Sequence, residues 1–142
     1  MVKAKGLKEE ANELLRDNND DANMEEAIKL YFEAISLCPA SEKKECAIFE
    51  NNLAMAYKKM GKLEDAKEHF TKSIELNEEY PKPLFHRMNL YKLGGEYNNA
   101  LNDANKIFEI DNKFQNISKI IPELEEIIER EQAGDEPEMN EE

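Results

Sequence analysis

The sequence predicts an all-α chain of three helix hairpins and one closing helix, and two observations carry that prediction. A helical segment recurs three times, and an apolar helix-spaced run ending in glycine stands before the second and third copies. The copies are Met24-Glu-Glu-Ala-Ile-Lys-Leu-Tyr-Phe-Glu-Ala-Ile-Ser-Leu-Cys-Pro39, Leu63-Glu-Asp-Ala-Lys-Glu-His-Phe-Thr-Lys-Ser-Ile-Glu-Leu-Asn-Glu78 and Tyr97-Asn-Asn-Ala-Leu-Asn-Asp-Ala-Asn-Lys-Ile-Phe-Glu-Ile-Asp-Asn112. Ala27, Ala66 and Ala100 coincide, as do Tyr31, Phe70 and Ala104, and then Leu37, Leu76 and Ile110. The second and third copies lie 34 residues apart. A fixed period of this length marks units that bury a face only by stacking on their neighbours.

The elements follow in order. The first helix holds Leu7-Lys-Glu-Glu-Ala-Asn12, and the polar cluster Asp17-Asn-Asn-Asp-Asp21 after it reads as a long loop, about four residues beyond the repeat. Ala40-Ser-Glu-Lys-Lys-Glu-Cys46 adds about five more residues between the first and second units. Ser41 is placed to N-cap an early-starting helix that runs to Met60. In that helix Ile48, Leu53, Ala54 and Tyr57 share a face that stops at Gly61; in the next, Leu84, Met88 and Tyr91 do so before Gly94-Gly95. Pro81 and Pro83 fit a first helical turn, whose N–H groups have no partner within the helix.

After the third unit, Phe114, Ile117, Ile120, Ile121, Leu124, Ile127 and Ile128 recur at three- and four-residue steps. They predict an amphipathic capping helix, kinked at Pro122, that covers the last hairpin. The expected bounds are 1–131 for the folded domain, with repeats at about 5–40, 41–78 and 81–112 and a cap at about 113–131. Residues 132–142 form an acidic tail with too few apolar side chains to fold.

Composition limits the function. Of the 142 residues, 40% are hydrophobic, 8% aromatic and 36% charged, with 5 Gly and 5 Pro, which suits a helix-rich soluble protein. There is no run of 18 apolar residues and no apolar signal core at the start, so the expected location is cytoplasmic. The net charge of −13 argues against nucleic acid or an anionic membrane as partner. Most of it is C-terminal: residues 123–142 carry ten acids and one Arg. Cys38 and Cys46 are read as ordinary reduced residues. Two thiols and two histidines, His69 and His86, offer no zinc site and no catalytic constellation. His69 is read as a surface or half-buried structural side chain. No glycine-rich phosphate loop or nucleophile–base motif points to an enzyme, a cofactor or a metal.

The 34-residue unit with this small and aromatic pattern resembles the tetratricopeptide repeat. The resemblance covers about residues 5–112. It implies a right-handed superhelical solenoid whose first helices line a concave groove, and an adaptor function. Within the family the sequence is similar to co-chaperones that hold the acidic C-terminus, ending Glu-Glu-Val-Asp, of heat-shock chaperones of the 70- and 90-kDa classes. Their dicarboxylate clamp implies roles for Lys8 and Asn12 in the first helix, Asn52 in the third, and Lys82 in the fifth. Lys8 and Asn12 are four residues apart and so share a helical face. Ammonium and amide donors of this kind suit the paired carboxylates of a peptide end.

The fifth clamp position, where the pattern has Arg, holds His86, with Arg87 one residue later as the available substitute. Arg87 lies about 100° further round the helix and replaces the missing fork imperfectly. Free imidazole has a pKa of about 6.5, so a clamp using His86 should bind an acidic peptide more tightly as pH falls from about 7.5 to 6. A second reading stays open: an eroded clamp on a scaffold for an unrelated protein such as a small GTPase or a complex subunit. The chain is expected to be a monomer. The acidic tail, ending in Glu142, is either solvated or a mimic of the clamp ligand that reaches its own groove or a neighbour's.

Overall fold

A computed structural model describes residues 1–17 and 20–134. Seven α-helices run in sequence among them: α1 Val2–Asp17, α2 Asp21–Leu37, α3 Lys43–Lys59, α4 Leu63–Leu76, α5 Pro81–Leu93, α6 Tyr97–Ile110 and α7 Ile117–Gln132. The chain forms two compact units, Met1–Pro83 and Leu84–Glu142.

In the first unit α1 packs on α2, α2 on α3 and α3 on α4. The alanines of the repeat explain why the helices approach so closely. Ala11, Ala27 and Ala56 are fully buried with Leu30, Tyr31 and Leu53, and Leu7, Leu14, Leu15 and Tyr57 close the cluster. A second cluster joins Ala4, Ala34 and Phe49. Larger side chains at these alanines would overpack the helix contacts, typically costing about 1–3 kcal/mol. In the second unit α7 packs on α6, and Ala100, Ala104 and Ile107 are fully buried.

The repeat register is confirmed at two of its three positions. Ala27, Ala66 and Ala100 are fully buried, and Tyr31, Phe70 and Ala104 nearly or fully so. The third set departs: Leu37 is 42% exposed, and Leu76 and Ile110 are only half-buried. The buried position one turn earlier is Ala34, Ser73 and Ile107, seven residues after the repeat alanine and therefore on its face. Ser73 fits there because its hydroxyl donates to the Ala47 carbonyl at 2.6 Å.

Both predicted glycine stops are present and have the same construction. After α3, Gly61 adopts φ 79°; Lys62 N–H donates to the Tyr57 carbonyl at 3.0 Å and Gly61 N–H to Lys58 at 3.0 Å. After α5, Gly95 adopts φ 77°, with Glu96 N–H on Tyr91 at 2.8 Å and Gly95 N–H on Lys92 at 3.1 Å. This paired closure satisfies carbonyls that a helix end leaves open.

The ends of the second helices also correspond. Asn77 and Asp111 accept the N–H groups of Glu79 and Lys113 on their side chains, each at 3.1 Å. At the matching place after α2 stands Cys38, bonded to Cys46 in a disulfide. The expectation of two reduced thiols is thereby corrected. A turn in which Glu42 N–H reaches the Pro39 carbonyl at 2.9 Å sets the two Cα atoms 5.9 Å apart, within the reach of a disulfide. The turn also moves the helix start. Ser41 does not cap α3, which begins at Lys43 with Glu42 before it and no side-chain cap.

α5 begins at Pro81, with Pro83 in the same turn, as the sequence predicts. α7 continues through Pro122. It buries Ile117, Leu124 and Ile128, with Ile120, Ile121 and Ile127 half-buried beside them. Phe114 lies ahead of the helix in a short 3-10 turn, Phe114–Asn116, its ring 5.7 Å from that of Phe85. Gln132, the first residue of the expected tail, ends α7, and Gly134 follows at φ 73°; residues 135–142 of that tail lie outside the described residues. Asn18 and Asn19 of the predicted long loop also lie outside them.

Candidate functional site

The first unit carries a pocket of about 230 Å³ lined by Asn12, Leu15 and Arg16 of α1, Tyr31 of α2, and Asn52, Met55 and Lys59 of α3. Two residues singled out in the sequence, Asn12 and Asn52, therefore meet in one place. Their position follows from helical spacing: Asn12 and Arg16 lie one turn apart, and Asn52 and Lys59 two turns apart.

Tyr31, in the sequence a repeat position and no site candidate, organises the pocket. Its hydroxyl donates to Oδ1 of Asn12. With the carbonyl side of that amide occupied, the Asn12 NH2 group is the part left to face a ligand, and it is a donor. Burial pushes the Tyr31 hydroxyl well above the ordinary tyrosine range, against the smaller opposing influence of Arg16. The hydroxyl therefore stays protonated at neutral pH and keeps the amide in this orientation. The signal in the sequence was a tyrosine where the other repeats have Phe70 and Ala104.

Lys59 closes the end of α1, donating from Nζ to the Leu15 carbonyl at 3.4 Å, a last-turn carbonyl with no helical partner. Lys8 lies one turn before Asn12, half-buried, with its ammonium 3.5 Å from Glu9; it does not line the pocket. Lys82 is exposed in the first turn of α5. His86, four residues on, is half-buried with its ring 5.8 Å from Phe85. Neither lines the pocket.

Arg87 has a different role from the one considered for it. Its Nη2 and Nε donate to the two carboxylate oxygens of Asp103 on α6 at 2.7 and 2.9 Å, and its guanidinium lies 5.5 Å from the Tyr91 ring centre. A guanidinium held in this bidentate pair joins α5 to α6 and is not available as a substitute fork.

His69 is more buried than the sequence suggested, at 7% exposure. Its Nδ1 lies 2.8 Å from Oε1 of Glu50, itself buried. Tyr57 stacks on the imidazole at 5.5 Å between centres, and Phe32 meets it edge-on at 5.6 Å. Among the described residues no group of three His, Cys, Asp or Glu could hold a metal ion, and no helix is long and apolar enough to cross a membrane.

Helix hairpins repeated at a fixed period define the class of helical-repeat interaction domains, and the comparisons agree. The tetratricopeptide repeat profile matches residues 47–80. Mitochondrial import receptor subunit TOM70 of Rattus norvegicus is 34% identical over 92 residues, covering 65% of this chain and 15% of the relative. The chain thus spans less than a fifth of that relative's length. The Sgt2 TPR domain from Aspergillus fumigatus superimposes with a TM-score of 0.77 at 22% identity, over 100% of this chain and 89% of that one. The first TPR of Spaghetti (RPAP3), bound to the HSP90 peptide SRMEEVD, gives 0.73 at 20% identity, over 89% and 96%. Both superpositions establish the fold. Residues 47–80 are thus a tetratricopeptide repeat by profile, and the chain has the fold of tetratricopeptide repeat domains.

Proposed function

We propose that the chain is a co-chaperone-type adaptor that binds the acidic C-terminal peptide, of Glu-Glu-Val-Asp type, of cytosolic heat-shock chaperones. Lys8, Asn12, Asn52, Lys82 and His86 are its clamp donors. The observation that carries this reading is the meeting of Asn12 and Asn52 in one pocket, with the Asn12 amide turned by Tyr31 so that its NH2 group faces outward. Amide donors beside cationic side chains suit a carboxylate, because each donor replaces a water the anion gives up. The peptide-bound Spaghetti domain, with the same fold, supports the ligand class. This is a binding function, not catalysis.

The test is calorimetric titration with Met-Glu-Glu-Val-Asp. The expected affinity is about micromolar, near −8 kcal/mol, and the Lys82→Glu variant should lose it. His86→Arg should tighten binding at neutral pH, and native affinity should rise on mild acidification as the imidazole protonates beside an anion. No binding by the native chain would overturn the reading in favour of an unrelated protein partner.

A further inference from the structure

The pocket holds more positive charge than a pair of clamp asparagines requires. Arg16 and Lys59 both line it, both side chains are exposed, and neither forms an ion pair with an acid among the described residues. Among the described residues no acidic side chain lines the pocket. In a chain of net charge −13, other surface cations do have acidic partners. Lys67 with Glu64, Lys72 with Glu68 and Arg130 with Glu126 are examples.

We infer that Arg16 and Lys59 form a second carboxylate subsite, which takes a glutamate side chain two or three residues before the C-terminal residue of the bound peptide. The inference rests on the proposed adaptor reading, because Asn12 and Asn52 fix the near end of the peptide. Spacing then sets the far end. Arg16 lies about 6 Å beyond Asn12 along α1, and Lys59 about 10 Å beyond Asn52 along α3, at about 1.5 Å per residue. An extended peptide covers about 3.3 Å per residue, so these cations fall opposite the second or third residue upstream.

The two cations supply complementary chemistry. Arg16 presents a planar fork suited to a carboxylate, while Lys59 adds a compact charge. The hydrogen bond from Lys59 to the Leu15 carbonyl uses one of its three donors and anchors the ammonium at the pocket rim. The apolar side chains of Leu15 and Met55 give the wall against which the methylenes of a glutamate pack.

The experiment compares Met-Glu-Glu-Val-Asp with Met-Gln-Gln-Val-Asp by fluorescence anisotropy on the full chain. The native protein should prefer the acidic peptide by about fivefold, the scale of a solvent-accessible ion pair. Arg16→Gln with Lys59→Gln should bring the ratio close to one. Lys43→Gln with Lys44→Gln removes the same charge from the exposed start of α3, and should leave the preference intact. Equal native affinity for both peptides would overturn the subsite and leave the adaptor reading standing. A preference that survives in the Arg16/Lys59 variant, or is lost equally in the Lys43/Lys44 variant, would also overturn the subsite. Failure of the native chain to bind either peptide would overturn the adaptor reading and the subsite together.

Discussion

The second and third repeats fill the same position with opposite chemistry. Three residues after the repeat alanine stand Leu30 in the first hairpin, His69 in the second and Asp103 in the third, at 8, 7 and 4% exposure. The leucine is an ordinary core side chain. His69 meets Glu50 across α3 and α4, whereas Asp103 meets Arg87 across α5 and α6. In repeat 2 the second helix brings the base and the first helix the acid; in repeat 3 the order is reversed. The difference bears on a hazard of repeat proteins, in which similar helices can dock on the wrong partner. If α6 took the place of α4, Asp103 would meet Glu50, and two buried carboxylates would repel. Pairs of this kind contribute less to net stability than to register.

The largest effect should come from breaking the third-repeat pair. Asp103→Ala leaves the Arg87 guanidinium without its counter-ion and should cost about 3–5 kcal/mol, read as a lower midpoint in urea unfolding. Glu50→Ala should cost less, about 1–3 kcal/mol, because imidazole can lose its proton and a guanidinium cannot. Equal losses in the two variants would erase the distinction between a titratable and a permanent partner. Replacing both members, Arg87→Met with Asp103→Leu, should stay within about 1 kcal/mol of the native chain. That variant should refold with more off-register species, visible as added kinetic phases.

The smallest effect is a pH slope. Burial raises the Asp103 carboxyl above its ordinary value of 3.8, and the hydrogen bond and charge of Arg87 offset this only in part. A carboxyl raised in the folded state favours folding at pH below its unfolded value, and that contribution vanishes as pH rises through the folded value. Relative to Asp103→Asn, the native chain should therefore gain stability as the pH falls through the folded value toward 3.8. Urea midpoints of the two proteins at successive pH values measure this, and a slope of the opposite sign would mean that Arg87 outweighs burial.

Which of these features could be read from the sequence depended on how local they are. Ala27, Ala66, Ala100, Gly61 and Gly95 report on backbone approach and left-handed turns within a few residues, so hairpins and helix ends were legible. The face of α7 was legible too, from its spacing of isoleucines. Ser41 misled because α3 starts after a turn, held by Cys38 and Cys46, that no spacing rule identifies. The Arg87–Asp103 and Glu50–His69 pairs depend on which side chains of separate helices come opposite each other. Sixteen and nineteen residues separate the partners, and nothing local marks them. In the site, Asn12 and Asn52 were found through the family motif. Tyr31 was hidden by its role in the core, and Arg16 and Lys59 by the abundance of charge around them.

The disulfide between Cys38 and Cys46 changes what cleavage can do to this chain. The linker from Pro39 to Glu45 lies inside a covalent ring, and Lys43 and Lys44 within it are trypsin targets. A cut there opens the ring without separating the hairpins on either side. The nicked protein should therefore gain the mass of one water in an intact-mass spectrum and run as a single species until a thiol reductant is added. Only then would the cut come apart into two fragments on a denaturing gel, so a separation by size performed without reductant would miss a backbone break at this linker.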